Sequence, residues 1–440
     1  MYRSTKARLV LIAAVVAADL GMASEHAAER VAAVIPAPAV RELIGEVLER
    51  NPDLRRLESE AAAADHRPAQ VRSLPDPTAS LTLFLQAPQT RVGPRQAAVS
   101  LAQKLPWFGT LTLREQVAVM KAAAARSRLQ AARLHRVTEV RRLVRELVFV
   151  DRELVLVGEE QVTLARAEEA ARARYAAGAG GSADVIRIQA EITRARSRQL
   201  DVADRRQQLV TRINALRDRA GVPFVVGDVS QSTDVQLPAR QVLRRAALAH
   251  RPELAAARAE AEAAALEVEL AEAARRPELT LGMTYALVGE RDDEAGRVHP
   301  PEGNGDDVFG LSGGVSLPIW GERNSARVEE QRSLQLATEE GVRAVISSIE
   351  EDLGRLTHRI PLLVEQRRLT DRVLEVQAEE AFRAAEAAYA AGTGSAGELL
   401  DAERVLVSVR IASARLEADL VVALVELDGA LGTPWTGVIP

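Results

Sequence analysis

The sequence predicts a mainly α-helical chain with a small transmembrane β part, written as two internal repeats. Three observations carry that prediction. A set of short motifs occurs twice, in the same order, at spacings of 200 to 214 residues. A long run, 110–175, holds no proline and keeps helical periodicity. Four short segments alternate apolar residues with small or polar ones, the period of a strand with one greasy face.

Composition agrees with long helices. Apolar residues make up 47% of the 440, but aromatics only 3%, a balance typical of coiled coils. Net charge is −5, so no basic excess points to nucleic acid. The chain has no cysteine. Thiol catalysis, iron–sulfur ligation, cysteine zinc sites and a lipidated N-terminal cysteine are thereby excluded. Residues 1–23 read as a signal peptide: Arg3, Lys6 and Arg8 precede the apolar run 9–18, and Gly21-Met22-Ala23 is a small-x-small cleavage site. That run is shorter than the ~20 residues a membrane helix needs. No later apolar run is long enough either, so any crossing must use strands.

The repeats order the rest of the chain. Asn51-Pro52-Asp53-Leu54 recurs as Arg251-Pro252-Glu253-Leu254, an offset of 200. Leu105-Pro106-Trp107-Phe108-Gly109 recurs as Leu317-Pro318-Ile319-Trp320-Gly321, an offset of 212. Tyr175-Ala176-Ala177-Gly178 recurs as Tyr389-Ala390-Ala391-Gly392, an offset of 214. The extra residues fit the turn-rich stretch 289–307, since insertions collect in loops. The first repeat spans 24–238 and the second 239–440. Each opens with a helical pair (40–73 and 239–275) broken near Pro52 and Pro252. A β-hairpin follows, about 78–104 and about 278–317, and then a long helical hairpin, about 110–220 and about 321–431.

The helical run 110–175 would reach roughly 100 Å at 1.5 Å per residue. Such a rod must pack against similar rods. Its apolar residues Val137, Val140, Val144, Leu147 and Leu154, and Val342, Val345, Ile349, Leu353, Leu356, Ile360 and Leu363 in the second half, step at the seam spacing of a coiled coil or helical barrel. Pro361 lies inside the second run and should kink or interrupt it.

The strand segments are 80–86, 97–102, 279–285 and 309–317. Leu81, Leu83, Leu279, Leu281, Met283, Leu311 and Val315 fall on their greasy faces and are expected to meet lipid. An amphipathic hairpin on a soluble core has the same pattern, but two repeated hairpins behind a signal peptide favour an outer-membrane barrel. Four strands cannot close in lipid, where every edge must be paired, and the smallest membrane barrels have eight. The chain must oligomerise, and three copies would give twelve strands.

These residues resemble the TolC-type outer-membrane factors of efflux and type I secretion over about 40–435. The resemblance rests on the Asn-Pro-x-Leu opening, on Leu101-Ala102-Gln103-Lys104-Leu105-Pro106-Trp107-Phe108-Gly109, and on the Tyr-x-x-Gly tips. The Gln-x-x-Pro-Trp-Phe-Gly wording is most similar to members paired with heavy-metal exporters of the resistance–nodulation–division class. The resemblance implies a homotrimer with a twelve-strand barrel continued by an α-helical tunnel. It implies a passive duct, not an enzyme, without cofactor or resident metal. Its partners would be a periplasmic adaptor, an inner-membrane pump and outer-membrane lipid. Many relatives carry a lipidated N-terminal cysteine, which this chain lacks. A periplasmic coiled-coil adaptor or scaffold is the alternative, although no lipoyl-like or small-barrel strand set is evident.

The stretch 389–401 reads as a helix end, a glycine turn and a new helix with acids in its first turns, which dipole and capping chemistry explain without a further role. The resemblance adds a second reading, a periplasmic gate. The acids that narrow the closed tunnel mouth carry over to Glu398 and Asp401, the gate tyrosine to Tyr389, and its hydrogen-bond partner to Asp184. A basic residue of some family locks is Gly394 here. Gly178, Gly180, Gly392 and Gly394 resemble the tips that dock the adaptor. Gly392-x-Gly394-x-x-Gly397 spells a dinucleotide fingerprint, but a helix precedes it where a strand is required. The six histidines have no ligand spacing.

Overall fold

The computed structural model describes residues 38–222 and 235–434. The expected signal peptide lies outside the described residues. The chain divides into two compact units, each drawing on both repeats: one holds Glu58–Arg128 and Glu253–Val345, and the other the remainder.

The first unit carries the sheet. Strands β1 (Thr78–Leu83), β2 (Gln89–Thr90), β3 (Gly93–Leu105), β4 (Glu278–Val288) and β5 (Val308–Ser316) are all antiparallel to their neighbours. The order is β1-β3-β4-β5, with short β2 pairing the start of β3. Both hairpins expected from the alternation are present, and β3 and β4 join them. Strand β1 stops at Leu83, so Leu85, expected in the strand, lies beyond it. The stretch 289–307 holds the short helix Glu294–Val298, whose start is capped by Asp293 accepting from Gly296 N–H at 3.2 Å.

The second unit is helical. Its α1 (Pro38–Arg50) and α2 (Pro52–Asp65) meet at Asn51. The buried Asn51 side chain accepts from the N–H groups of Asp53 and Leu54 at 3.1 and 3.3 Å and donates to Leu216 O at 2.8 Å. Pro52 fits there because the first helical residue needs no N–H partner. The long helices are α3 (Thr110–Ala176) and α5 (Gly321–Leu369), whose residues 110–128 and 321–345 belong to the first unit, and α4 (Ser182–Leu216), α6 (Glu375–Ala390) and α7 (Ala396–Leu431). Within this unit Val140, Val144 and Leu147 of α3 are buried against Val40, Leu43 and Val47 of α1 and Val210 and Ile213 of α4. The periodic residues Ile349, Leu353, Leu356, Ile360 and Leu363 of α5 are likewise buried.

Pro361 does not interrupt the helix: α5 runs through it without a break. Pro361 is exposed. The irregularity comes later, as a π-helical turn at Thr370–Leu374. Among the described residues no helix is long and apolar enough to cross a membrane.

Candidate functional site

Two features have geometry beyond simple folding: the paired hairpin tips of the helical unit and the apolar face of the sheet.

At the first tip α3 ends in a glycine turn. Gly178 has φ +71°, Gly178 N–H donates to Tyr175 O at 3.0 Å and Ala179 N–H to Arg174 O at 2.9 Å. The second tip repeats this at the end of α6. Gly392 has φ +77°, Gly392 N–H donates to Tyr389 O at 3.1 Å and Thr393 N–H to Ala388 O at 3.0 Å. Both are Schellman turns, in which a left-handed residue frees two N–H groups for the last carbonyls of the helix. A Cβ added at Gly394 would lie 3.0 Å from Ala388 Cβ and 3.1 Å from Tyr389 N. This crowding disfavours a side chain at Gly394.

Helix α7 then opens with a complete capping box. Ser395 Oγ accepts from Glu398 N–H at 3.2 Å, and Glu398 Oε2 accepts from Ser395 N–H at 2.9 Å. These bonds with Ser395 hold the Glu398 carboxyl below the usual range. Asp401 is exposed and accepts from Arg404 at 3.0 Å. The capping role of Glu398 is therefore real, and it leaves the carboxylate exposed at the tip.

The two tyrosines that the repeat makes equivalent have different surroundings. Tyr175 is 55% exposed and Tyr389 4%. Tyr389 packs with Leu164, Ile188, Leu399 and Leu400. Arg174 lies over its ring at 4.6 Å, donates to Tyr389 O at 2.8 Å and reaches Ala179 O at 3.4 Å. One guanidinium thus ties the first tip to the second. Burial raises the Tyr389 phenol pKa, Arg174 opposes the shift, and the charge of Asp184, in the first turn of α4, adds to it. Sequence reasoning missed Arg174. Its counterpart in the second repeat is Ala388, and that departure from the repeat was the available signal.

The sheet register gathers the apolar residues on one face. Leu81 is opposite Val99, Val99 opposite Tyr285, and Tyr285 opposite Phe309. Leu101 faces Met283, and Met283 faces Leu311; Leu279 faces Val315. Directly opposed residues share a face, so these rows make one continuous exposed apolar surface. The other face is small and polar: Ser80 and Ser100 hydroxyls meet at 2.7 Å, and Thr284 stands between Ser100 and Gly310.

A family model described as outer membrane efflux protein matches residues 43–219 and 243–433. The chain belongs to that family. It is therefore an outer-membrane protein of an efflux-channel family, a class without catalytic function. It is 22% identical over 406 residues to outer membrane protein TolC of Vibrio cholerae, covering 89% of this chain and 90% of that protein. It is 30% identical over 192 residues to the pyoverdine export outer membrane protein OpmQ of Pseudomonas putida, covering 43% of this chain and only 38% of that protein. Its fold matches the outer membrane protein VceC of Vibrio cholerae with a TM-score of 0.74 at 19% identity, over 90% of this chain and 97% of the other.

Proposed function

We propose that this family member is the passive exit duct of a tripartite efflux system. Three copies join their sheets into a twelve-strand barrel, and the helical hairpins continue it as a tunnel into the periplasm. The observation that carries this reading is the four-strand path with one apolar face and two free edges, on β1 and β5. In lipid each free edge costs several kcal/mol per unpaired group, and symmetry-related copies supply the missing pairs. Leu81, Leu83, Leu279, Leu281, Met283, Leu311 and Val315 face lipid in this arrangement.

An inner-membrane pump drives transport, and a periplasmic adaptor docks on the glycine tips at Gly178, Gly180, Gly392 and Gly394. Threefold symmetry turns Glu398 and Asp401, three residues apart on one helical face, into carboxylate rings at the tunnel mouth. Tyr389, with Asp184 nearby and Arg174 over its ring, holds that mouth shut. Heavy-metal cations are the cargo suggested by the Gln103 to Gly109 segment. Carboxylate rings favour cations of any kind, so the pump makes the final selection.

Two experiments test this. The protein is purified in mild detergent and its mass measured with detergent subtracted; a trimer is expected, and a channel-forming monomer overturns the model. A strain lacking the gene is then challenged with metal salts and with organic toxicants. Loss of resistance to organic toxicants alone removes the metal cargo and keeps the duct.

A further inference from the structure

Behind the second tip, within the helical unit, lies a cavity of about 200 Å³ between α3, α6 and α7. It is lined by Leu156, Thr163, Phe382 and Leu406 together with the carboxyl groups of Glu160 and Glu403. Neither glutamate belongs to the capping box or to the Arg174–Tyr389 contact. Glu160 is 2% exposed and Glu403 4%. Each has one buried oxygen, Glu160 Oε2 and Glu403 Oε1, that lacks a hydrogen-bond partner among the described residues. A buried carboxylate oxygen without a partner is costly. We infer that Glu403 holds a proton beside the Glu160 carboxylate at this cavity, and that its loss loosens the packing of α6 and α7 behind the tip.

A proton on Glu403 removes a buried charge and gives the acceptor-only group a donor. The surrounding charges leave that role open. Of the α4 cations, Arg198 is held by Glu160, and Arg194 by Glu191. On α7, Arg404 is bound by Glu191 and Asp401, and Arg410 pairs with Glu375 at 3.7 Å. On α6, Arg383 is paired with Glu379, while Glu386 adds a further negative charge at the cavity wall, as Glu159 does from α3. Among the described residues no three acidic or histidine side chains converge on a metal position. Burial, and then the charge of Glu160, push Glu403 up to about 7. Burial also raises Glu160, against the pull of Arg198.

The sign follows from linkage. A carboxyl with a raised pKa binds its proton more tightly in the folded state, so its stabilising effect is full below the ordinary value of 4.5 and is lost as pH rises toward 7. Alkaline conditions loosen this region. Glu403 lies about two turns along α7 from the capping box.

The test uses the full-length protein in lipid nanodiscs and does not depend on transport, so failure of the duct reading would leave it intact. Infrared difference spectra are taken from about pH 5 to about pH 9. The expected result is loss of an un-ionised buried carboxyl band with a midpoint near 7. The band is absent in Glu403→Gln, and in Glu160→Gln its midpoint falls by about one pH unit, because a like charge has been removed. Hydrogen exchange of the segment 399–410, corrected for the intrinsic rate, rises about tenfold between pH 6 and pH 8 in the wild type and stays flat in Glu403→Gln. Absence of any carboxyl titrating near neutrality in the wild type overturns the inference, and so does a band that survives in Glu403→Gln. If Glu403→Gln does not fold, an unshifted midpoint in Glu160→Gln overturns it instead.

Discussion

Leu311→Arg probes the proposed lipid face of the sheet directly. Leu311 is 78% exposed, stands opposite Met283, and lies one residue from the middle of the strand Val308–Ser316. An arginine on the lipid side of a mid-strand position costs ~2–4 kcal/mol, falling to ~0–1 near the interfaces. At ~1.4 kcal/mol per tenfold, that is roughly a thirty- to thousand-fold loss in the folding equilibrium of each copy. Ser312→Arg is the control. Its side chain points to the opposite, polar face, and Gly282 across from it leaves room. Refolding into lipid vesicles followed by urea titration reads the difference, and the heat-resistant gel band reads assembly in cells. Leu311→Arg should lose stability by the amount above, with Ser312→Arg close to wild type. Equal tolerance at the two sites, or the reverse order, would refute the assignment of faces.

Three further predictions concern the helical unit. Arg174→Ala removes the guanidinium over Tyr389 and its bond to the backbone, ~1–2 kcal/mol together; single-channel conductance in planar bilayers should rise, as it should in Tyr389→Phe with Asp184→Ala, and unchanged conductance in both variants would remove the tip contact from the gate. Glu398→Ala with Asp401→Ala should lose the capping box, about 1 kcal/mol, and also weaken cation selectivity; a stability loss with selectivity intact would leave these acids as helix-start residues only. Burial pushes the Glu139 carboxyl up, but bonds from Arg212 and Arg136 outweigh it and hold the pKa below its ordinary value. The stability it contributes is present above pH 4.5 and lost as pH falls through the lowered value. Glu139→Gln should therefore show a smaller acid-induced drop in urea midpoint than the wild type, and an identical drop would show that the cluster does not set acid stability.

What the sequence determined by itself follows from short-range rules. Helical and strand periods are local, so the long helices, the breaks at Pro52 and Pro252 and the two hairpins were legible from spacing alone. The repeat doubled each signal, and the tips stood out because a glycine in left-handed conformation follows each Tyr-x-x motif. Tertiary structure decided the rest. Whether Leu81, Val99, Tyr285 and Phe309 line up in one row depends on register between strands as far apart in sequence as β3 and β4, which no local period encodes. Pro361 shows the limit of a local rule: the missing N–H was certain, but an interruption of the helix was not, and the helix continues through it. The repeat also implied that Tyr175 and Tyr389 are alike, whereas tertiary packing against Leu164, Ile188 and Leu399 buried Tyr389 and left Tyr175 exposed. Glu160 and Glu403 lie 243 residues apart and read in sequence as ordinary charges on long helices. Only tertiary packing brings both to one cavity, because desolvation and the field of a neighbour are properties of the folded interior.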